Sequence, residues 1–109
     1  MKIALCGGSF VSEVESGRIS ICDIADIASR YGFDALEVRN DLLRNKDREL
    51  ADVKNISKEK GLELIYAYRA YPVNKSLQLM KEGCKEIAIA IEDAGHLGVN
   101  ILKSSFGYI

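Results

Sequence analysis

The regular alternation of short apolar runs with longer amphipathic segments most constrains the fold of this 109-residue chain. Four runs predict strands, at Lys2–Cys6, Ala35–Arg39, Leu62–Ala67 and Asn100–Ser104. Three segments between them predict helices, at Ser20–Tyr31, Asp47–Lys60 and Ser76–Leu97. This β-α-β-α-β-α-β order favours one α/β domain, spanning 1–109, in which a parallel sheet is joined by right-handed crossovers.

The ends and faces of the predicted helices carry local signals. Ser20 and Asp23 have the spacing of a capping box, which predicts a helix start. A glycine follows each helix, which is typical of a helix end. The last helix has a row of apolar residues at steps of three and four, which predicts its packing face: Leu77, Met80, Cys84, Ile87, Ile91 and Ala94. Gly83 weakens the first half of this helix.

Composition and charge pattern give no support to several classes of protein. Charged residues make up 28% of the chain, but they are interspersed and sum to a net charge of −1, so no basic stripe indicates a nucleic-acid partner. No apolar run approaches the roughly 18 residues that a membrane span needs, and the run after Lys2 is too short for a signal peptide. We therefore expect a cytoplasmic protein. Three widely spaced cysteines predict reduced, mostly buried thiols: Cys6, Cys22 and Cys84.

The segment Gly32-Phe33-Asp34-Ala35-Leu36-Glu37-Val38-Arg39 resembles a signature of the xylose-isomerase-like superfamily of sugar phosphate isomerases and epimerases. In that superfamily a "GFDGIELR"-type segment ends a helix and begins the second strand. Three more segments are similar to the family's first, third and fourth strand entries: Lys2–Leu5 with Ser9-Phe10, Lys60–Leu64, and Ala94–Lys103. Together these segments cover nearly the whole chain in the family's order.

This resemblance implies a (β/α)₈ TIM barrel, of which four strands and three helices would be the N-terminal half. Full-length relatives carry out metal-dependent aldose-ketose isomerisation or epimerisation. Their divalent metal (Mn, Mg, Zn or Co) and their catalytic glutamates come from later strands, which would lie beyond Ile109. The resemblance therefore implies a truncated or partial isomerase/epimerase-like protein, with no metal cofactor held by this chain.

The predicted fourth strand has no helix after it, and both faces of a parallel sheet need cover. We expect either that the natural chain continues or that a partner supplies the cover. The functional alternative is therefore a non-catalytic half-barrel that forms a homo-oligomer, such as a dimer, or binds another chain and so protects its sheet edges. A third possibility is a small flavodoxin-like domain.

Active sites of barrel enzymes lie at the carboxyl ends of the strands. This rule selects Glu37, Arg39, Tyr68 and Lys103 as candidate residues for binding a small sugar or sugar phosphate. A carboxylate and a guanidinium on one strand face can orient hydroxyl or phosphate groups. The tyrosine ring can pack on a sugar, and Arg69 can meet a phosphate.

Each candidate also has a structural explanation. Glu37 can form an ion pair with its neighbour on the same strand or with Lys103, and Tyr68 and Arg69 can belong to a surface loop. The Gly7-Gly8-Ser9 segment lacks a nucleotide-binding spacing and predicts a turn with positive φ. His96 is the only histidine, and its position four residues after Glu92 predicts a structural pair on the helix.

Overall fold

The computed structural model describes residues 1–70, 72, 73 and 75–104 and has an α/β fold. Its strands are β1 (Ala4–Cys6), β2 (Ala35–Arg39), β3 (Glu63–Tyr68) and β4 (Leu102–Ser104). Its α-helices are α1 (Val11–Glu15), α2 (Ile21–Arg30), α3 (Lys46–Lys60) and α4 (Leu77–Leu97). Short 3₁₀ turns, Gly7–Phe10 and Asn40–Leu42, follow β1 and β2.

The α/β class with a parallel sheet is confirmed, and each predicted boundary lies within two residues of the observed one. The capping box is also confirmed, because Ser20 Oγ accepts from the Asp23 N–H while Asp23 Oδ2 accepts from the Ser20 N–H at 2.8 Å. The prediction of three helices missed α1. A five-residue helix is too short to show a helical period, and Val14 is its one buried residue.

The four strands are parallel and neighbour one another in chain order, β1-β2-β3-β4. A flavodoxin-like sheet would place β1 between β2 and β3, so the sheet of the described residues does not have that order. One sheet face contributes to a core shared with α2, α3 and α4, through Leu5, Leu36, Val38, Leu64, Tyr66 and Leu102. Side chains alternate along a strand. The opposite face therefore carries Cys6, Glu37, Arg39, Ala67 and Lys103, which lie outside that core.

The predicted packing face of α4 is partly wrong. Leu77 and Ile91 are 65% and 59% exposed, and Cys84 is exposed as well. The buried residues of α4 are Gly83, Ala90, Asp93, Ala94 and Leu97. The packing face is thus rotated by about one residue, roughly 100°, from the predicted row. Gly83, which the sequence marked only as a weak point of the helix, is thus one of its buried residues.

The two glycines after β1 do not have the positive φ that the sequence predicted. They belong to a 3₁₀ turn in which space is the constraint. A Cβ on Gly7 would lie 2.7 Å from the carbonyl oxygen of Glu37, and a Cβ on Gly8 would lie 2.9 Å from Cδ of Arg39. Gly7 therefore lets the end of β1 approach the backbone of β2, whereas the neighbour of Gly8 is a flexible side chain.

The cysteines are free, but the expectation that most are buried is wrong. Cys6 and Cys84 are exposed, and only Cys22 is partly buried. Burial raises the pKa of the Cys22 thiol, and the nearby carboxylate of Asp52 adds to this effect. Among the described residues, no helix combines the length and apolar character that crossing a membrane requires.

Candidate functional site

A depression of about 180 Å³ lies at the carboxyl ends of β2, β3 and β4. It is lined by residues from three strands and the turns after them: Glu37, Arg39, Asn40, Ala67, Tyr68, Arg69, Lys103 and Ser104. The structure thus brings together all four residues that the sequence selected as substrate-binding candidates. They converge because parallel strands end at the same edge of the sheet.

The strand register explains the shape of this depression. Arg39 lies opposite Ala67 on β3, and Ala67 lies opposite Lys103 on β4. The methyl group of Ala67 is therefore the floor between two long cationic side chains. A larger residue on β3 would fill this space.

Glu37 is the most enclosed charged group of the depression, with 15% of its side chain exposed. Its Oε2 accepts a hydrogen bond from Lys103 Nζ at 3.3 Å, and its Oε1 lies 3.7 Å from Cys6 Sγ. The Glu37–Lys103 ion pair, one of the structural alternatives, is therefore present. Lys103 remains 66% exposed, so the pair stabilises the fold little and its ammonium stays accessible to a ligand.

Arg39 pairs with Asp41 and not with Glu37 on its own strand. Its side chain runs beside Gly8 and is 22% exposed. The Arg39 side chain thus lines the depression while its guanidinium is paired with Asp41. The alternative ion pair between Glu37 and Arg39 on the same strand is therefore not formed.

Tyr68 is the last residue of β3 and not part of a loop. Its ring packs partly buried against the core, with its centroid 6.2 Å from that of Tyr66 at an interplanar angle of 68°. Burial raises the pKa of the Tyr68 hydroxyl, with a further contribution from the carboxylate of Glu86. The residue borders the depression while its ring belongs to the helix-covered side of the sheet.

Sequence reasoning missed Asn40. Its Oδ1 accepts a hydrogen bond from the backbone N–H of Arg69 at 3.3 Å, which ties the end of β2 to the end of β3. The signal was available, because Asn40 directly follows the second predicted strand, Ala35–Arg39. Polar residues directly after parallel strands should therefore be counted as site candidates together with those inside the strands.

The remaining candidates lie away from this depression. The Nε2 atom of His96 lies 3.9 Å from Oε1 of Glu92, which agrees with the predicted helical pair. A larger depression of about 490 Å³ lies at the amino ends of β3 and β4 and is lined partly by apolar residues such as Leu62, Leu97 and Val99. Its polar lining residues are Lys54, Ser57, Lys58, Glu63 and Asn100, none of which the sequence selected as a candidate.

The chain matches no protein-family model, and a comparison with curated proteins likewise finds no match.

Proposed function

We propose that this chain is a partial sugar phosphate isomerase/epimerase-like protein that binds a small sugar or sugar phosphate in the carboxyl-end depression. The observation that carries the proposal is the convergence of Glu37, Arg39 and Lys103 around the small floor residue Ala67. Carboxylate, guanidinium and ammonium groups form strong hydrogen bonds with hydroxyl and phosphate groups. The resemblance of the second-strand segment to isomerases and epimerases supports the same substrate class.

The size of the depression also supports a small ligand. Sites for drug-sized molecules have volumes of about 300–1,000 Å³. The 180 Å³ of this depression suits a short polyol or one phosphoryl group with its adjoining carbons. A nucleotide would extend well beyond it.

The described residues do not fit the divalent metal of full-length isomerases. Within 1–70, 72–73 and 75–104, no three His, Cys, Asp or Glu side chains are grouped so that they could hold a metal ion. Our proposal for this chain therefore concerns ligand binding, and it assigns no catalytic step to a metal or to a general base.

Calorimetric titration with pentose and hexose phosphates tests this proposal. We expect the wild-type chain to bind at least one of them. We expect Glu37→Gln to weaken that binding at least tenfold, because a hydrogen bond to a charged group contributes about 1.5–3 kcal/mol. Glu59→Gln is the matched control, since Glu59 is exposed on α3 and does not line the depression. Equal affinities of the Glu37→Gln variant and the wild type would contradict the proposal.

The second candidate function is self-association or binding of another chain, and the exposed side of α4 favours it. Leu77, Cys84 and Ile91 are seven residues apart, so they lie in one row along the helix. All three are exposed, and within the described sheet β4 pairs only with β3. An exposed apolar row on a helix is typical of a protein interface, and an open strand edge is a second surface on which chains can pair.

Light scattering tests this candidate function by measuring the solution mass of the wild type and of two variants, each with one isoleucine of α4 replaced. If the row is an interface, the wild type has at least twice the monomer mass and Ile91→Glu converts it to the monomer. Ile89→Glu should leave the mass unchanged, because Ile89 points about 200° away from Ile91 and is 41% exposed. A monomeric wild type at high concentration, or the same mass for both variants, would exclude self-association through this row.

A further inference from the structure

We propose that Asn40 and Arg69 form an anion subsite within the depression, which selects phosphorylated over neutral sugars. This inference rests on the proposed function for its substrate class. The depression is lined by one carboxylate, that of Glu37, and by three cationic side chains: Arg39, Arg69 and Lys103.

Two of the three cations have carboxylate partners. Lys103 pairs with Glu37, and Arg39 pairs with Asp41. The guanidinium of Arg69 has no ion pair within the part of the chain that the structure describes. The depression therefore has one uncompensated positive charge, which a monoanionic or dianionic group of a ligand would neutralise.

Asn40 adds an oriented donor beside this charge. Because the backbone N–H of Arg69 is a donor, the atom of Asn40 that receives it must be the carbonyl oxygen Oδ1. The Nδ2 amino group therefore points away from that hydrogen bond, and no partner for it lies among the described residues. The guanidinium of Arg69 and the amide of Asn40 thus follow adjacent strands. Phosphate oxygens accept hydrogen bonds from both kinds of group.

The small volume of the depression decides which part of the ligand this subsite takes. At about 180 Å³ the depression has room for one phosphoryl or carboxylate group and a few hydroxyl-bearing carbons. If the anionic group of the ligand binds at Arg69 and Asn40, the Glu37–Lys103 pair is available to form hydrogen bonds with the ligand's hydroxyl groups. The ligand is thus a small sugar phosphate or a related hydroxy acid.

Titration with inorganic phosphate, followed by NMR or calorimetry, tests the subsite without any sugar. We expect Asn40→Asp and Arg69→Gln each to weaken phosphate binding at least tenfold. Asn40→Asp is the informative variant, because its carboxylate still accepts from the Arg69 N–H while the amide donor is replaced by a repelling charge. Arg30→Gln is the control, since it removes an equal charge from α2, where Arg30 pairs with Asp26, and it should change the affinity less than twofold.

The outcomes separate this inference from the proposed function. A wild type that does not bind millimolar phosphate, or an Asn40→Asp variant that binds it as the wild type does, would overturn the subsite. A neutral sugar that binds as tightly as its phosphate would also overturn the subsite and leave the proposed function standing. Phosphate binding that Asn40→Asp abolishes, in a chain that binds no sugar, would support the subsite and contradict the proposed function.

Discussion

Replacing Asp93 with alanine is expected to lower the free energy of unfolding by about 3 kcal/mol. Asp93 is 3% exposed on α4, where its Oδ2 accepts from the Tyr66 hydroxyl at 3.1 Å and its Oδ1 lies 3.2 Å from Lys46 Nζ. The substitution leaves the Tyr66 hydroxyl in the core without an acceptor, which costs about 1–3 kcal/mol. It also leaves a cavity between β3 and α4 and removes the link to α3.

Urea denaturation of the wild type and the variant measures this effect. Glu92→Ala is the matched control, because Glu92 is the preceding residue, its side chain is 74% exposed and its Oε1 lies 3.9 Å from Nε2 of His96. A surface change of this kind alters stability by less than about 0.5 kcal/mol. Similar losses for Asp93→Ala and Glu92→Ala would show that the buried network does not stabilise the fold.

The stability of the chain is expected to fall steeply above pH 10 because of Tyr66. Burial, and next the Asp93 carboxylate, raise the pKa of the Tyr66 hydroxyl far above its ordinary value. The unfolded chain releases this proton near pH 10, whereas the folded chain keeps it. The contribution of the protonated Tyr66 hydroxyl to the free energy of unfolding is therefore fully present below about pH 10. It is lost at about 1.4 kcal/mol per pH unit as the pH rises further.

Unfolding free energies of the wild type and of Tyr66→Phe at several values between pH 8 and pH 12 isolate this contribution. Other groups titrate in the same range. The informative quantity is therefore the difference between the two proteins in the slope of unfolding free energy against pH. Above pH 10 the wild type should lose stability faster than the variant. Parallel slopes would mean that the Tyr66 hydroxyl ionises as readily in the folded chain as in the unfolded one.

The strands and the three long helices were predictable because their signals are local. The Ser20–Asp23 capping box and the apolar run of β2 depend on neighbours within four residues. The placement of Glu37, Arg39 and Lys103 at one sheet edge followed from a general rule, since parallel strands end together. That rule needs only the strand order, which consecutive βα units favour.

Features set by distant contacts were not predictable in the same way. The packing face of α4 differs from its apolar row because Asp93 faces Tyr66 and Lys46, which belong to other elements. The role of Gly7 depends on the carbonyl of Glu37, which comes close only after the sheet forms. The hydrogen bond from Arg69 to Asn40 likewise joins two strand ends that are 29 residues apart in sequence.

The most direct test of the central claim is to map ligand binding residue by residue with NMR during a titration with a sugar phosphate. Our account predicts that the largest amide shifts cluster at the carboxyl ends of β2, β3 and β4, including Arg39, Asn40, Arg69 and Lys103. Shifts that are centred instead on the amino-end depression near Leu62 and Val99, or no saturable shifts at all, would contradict it.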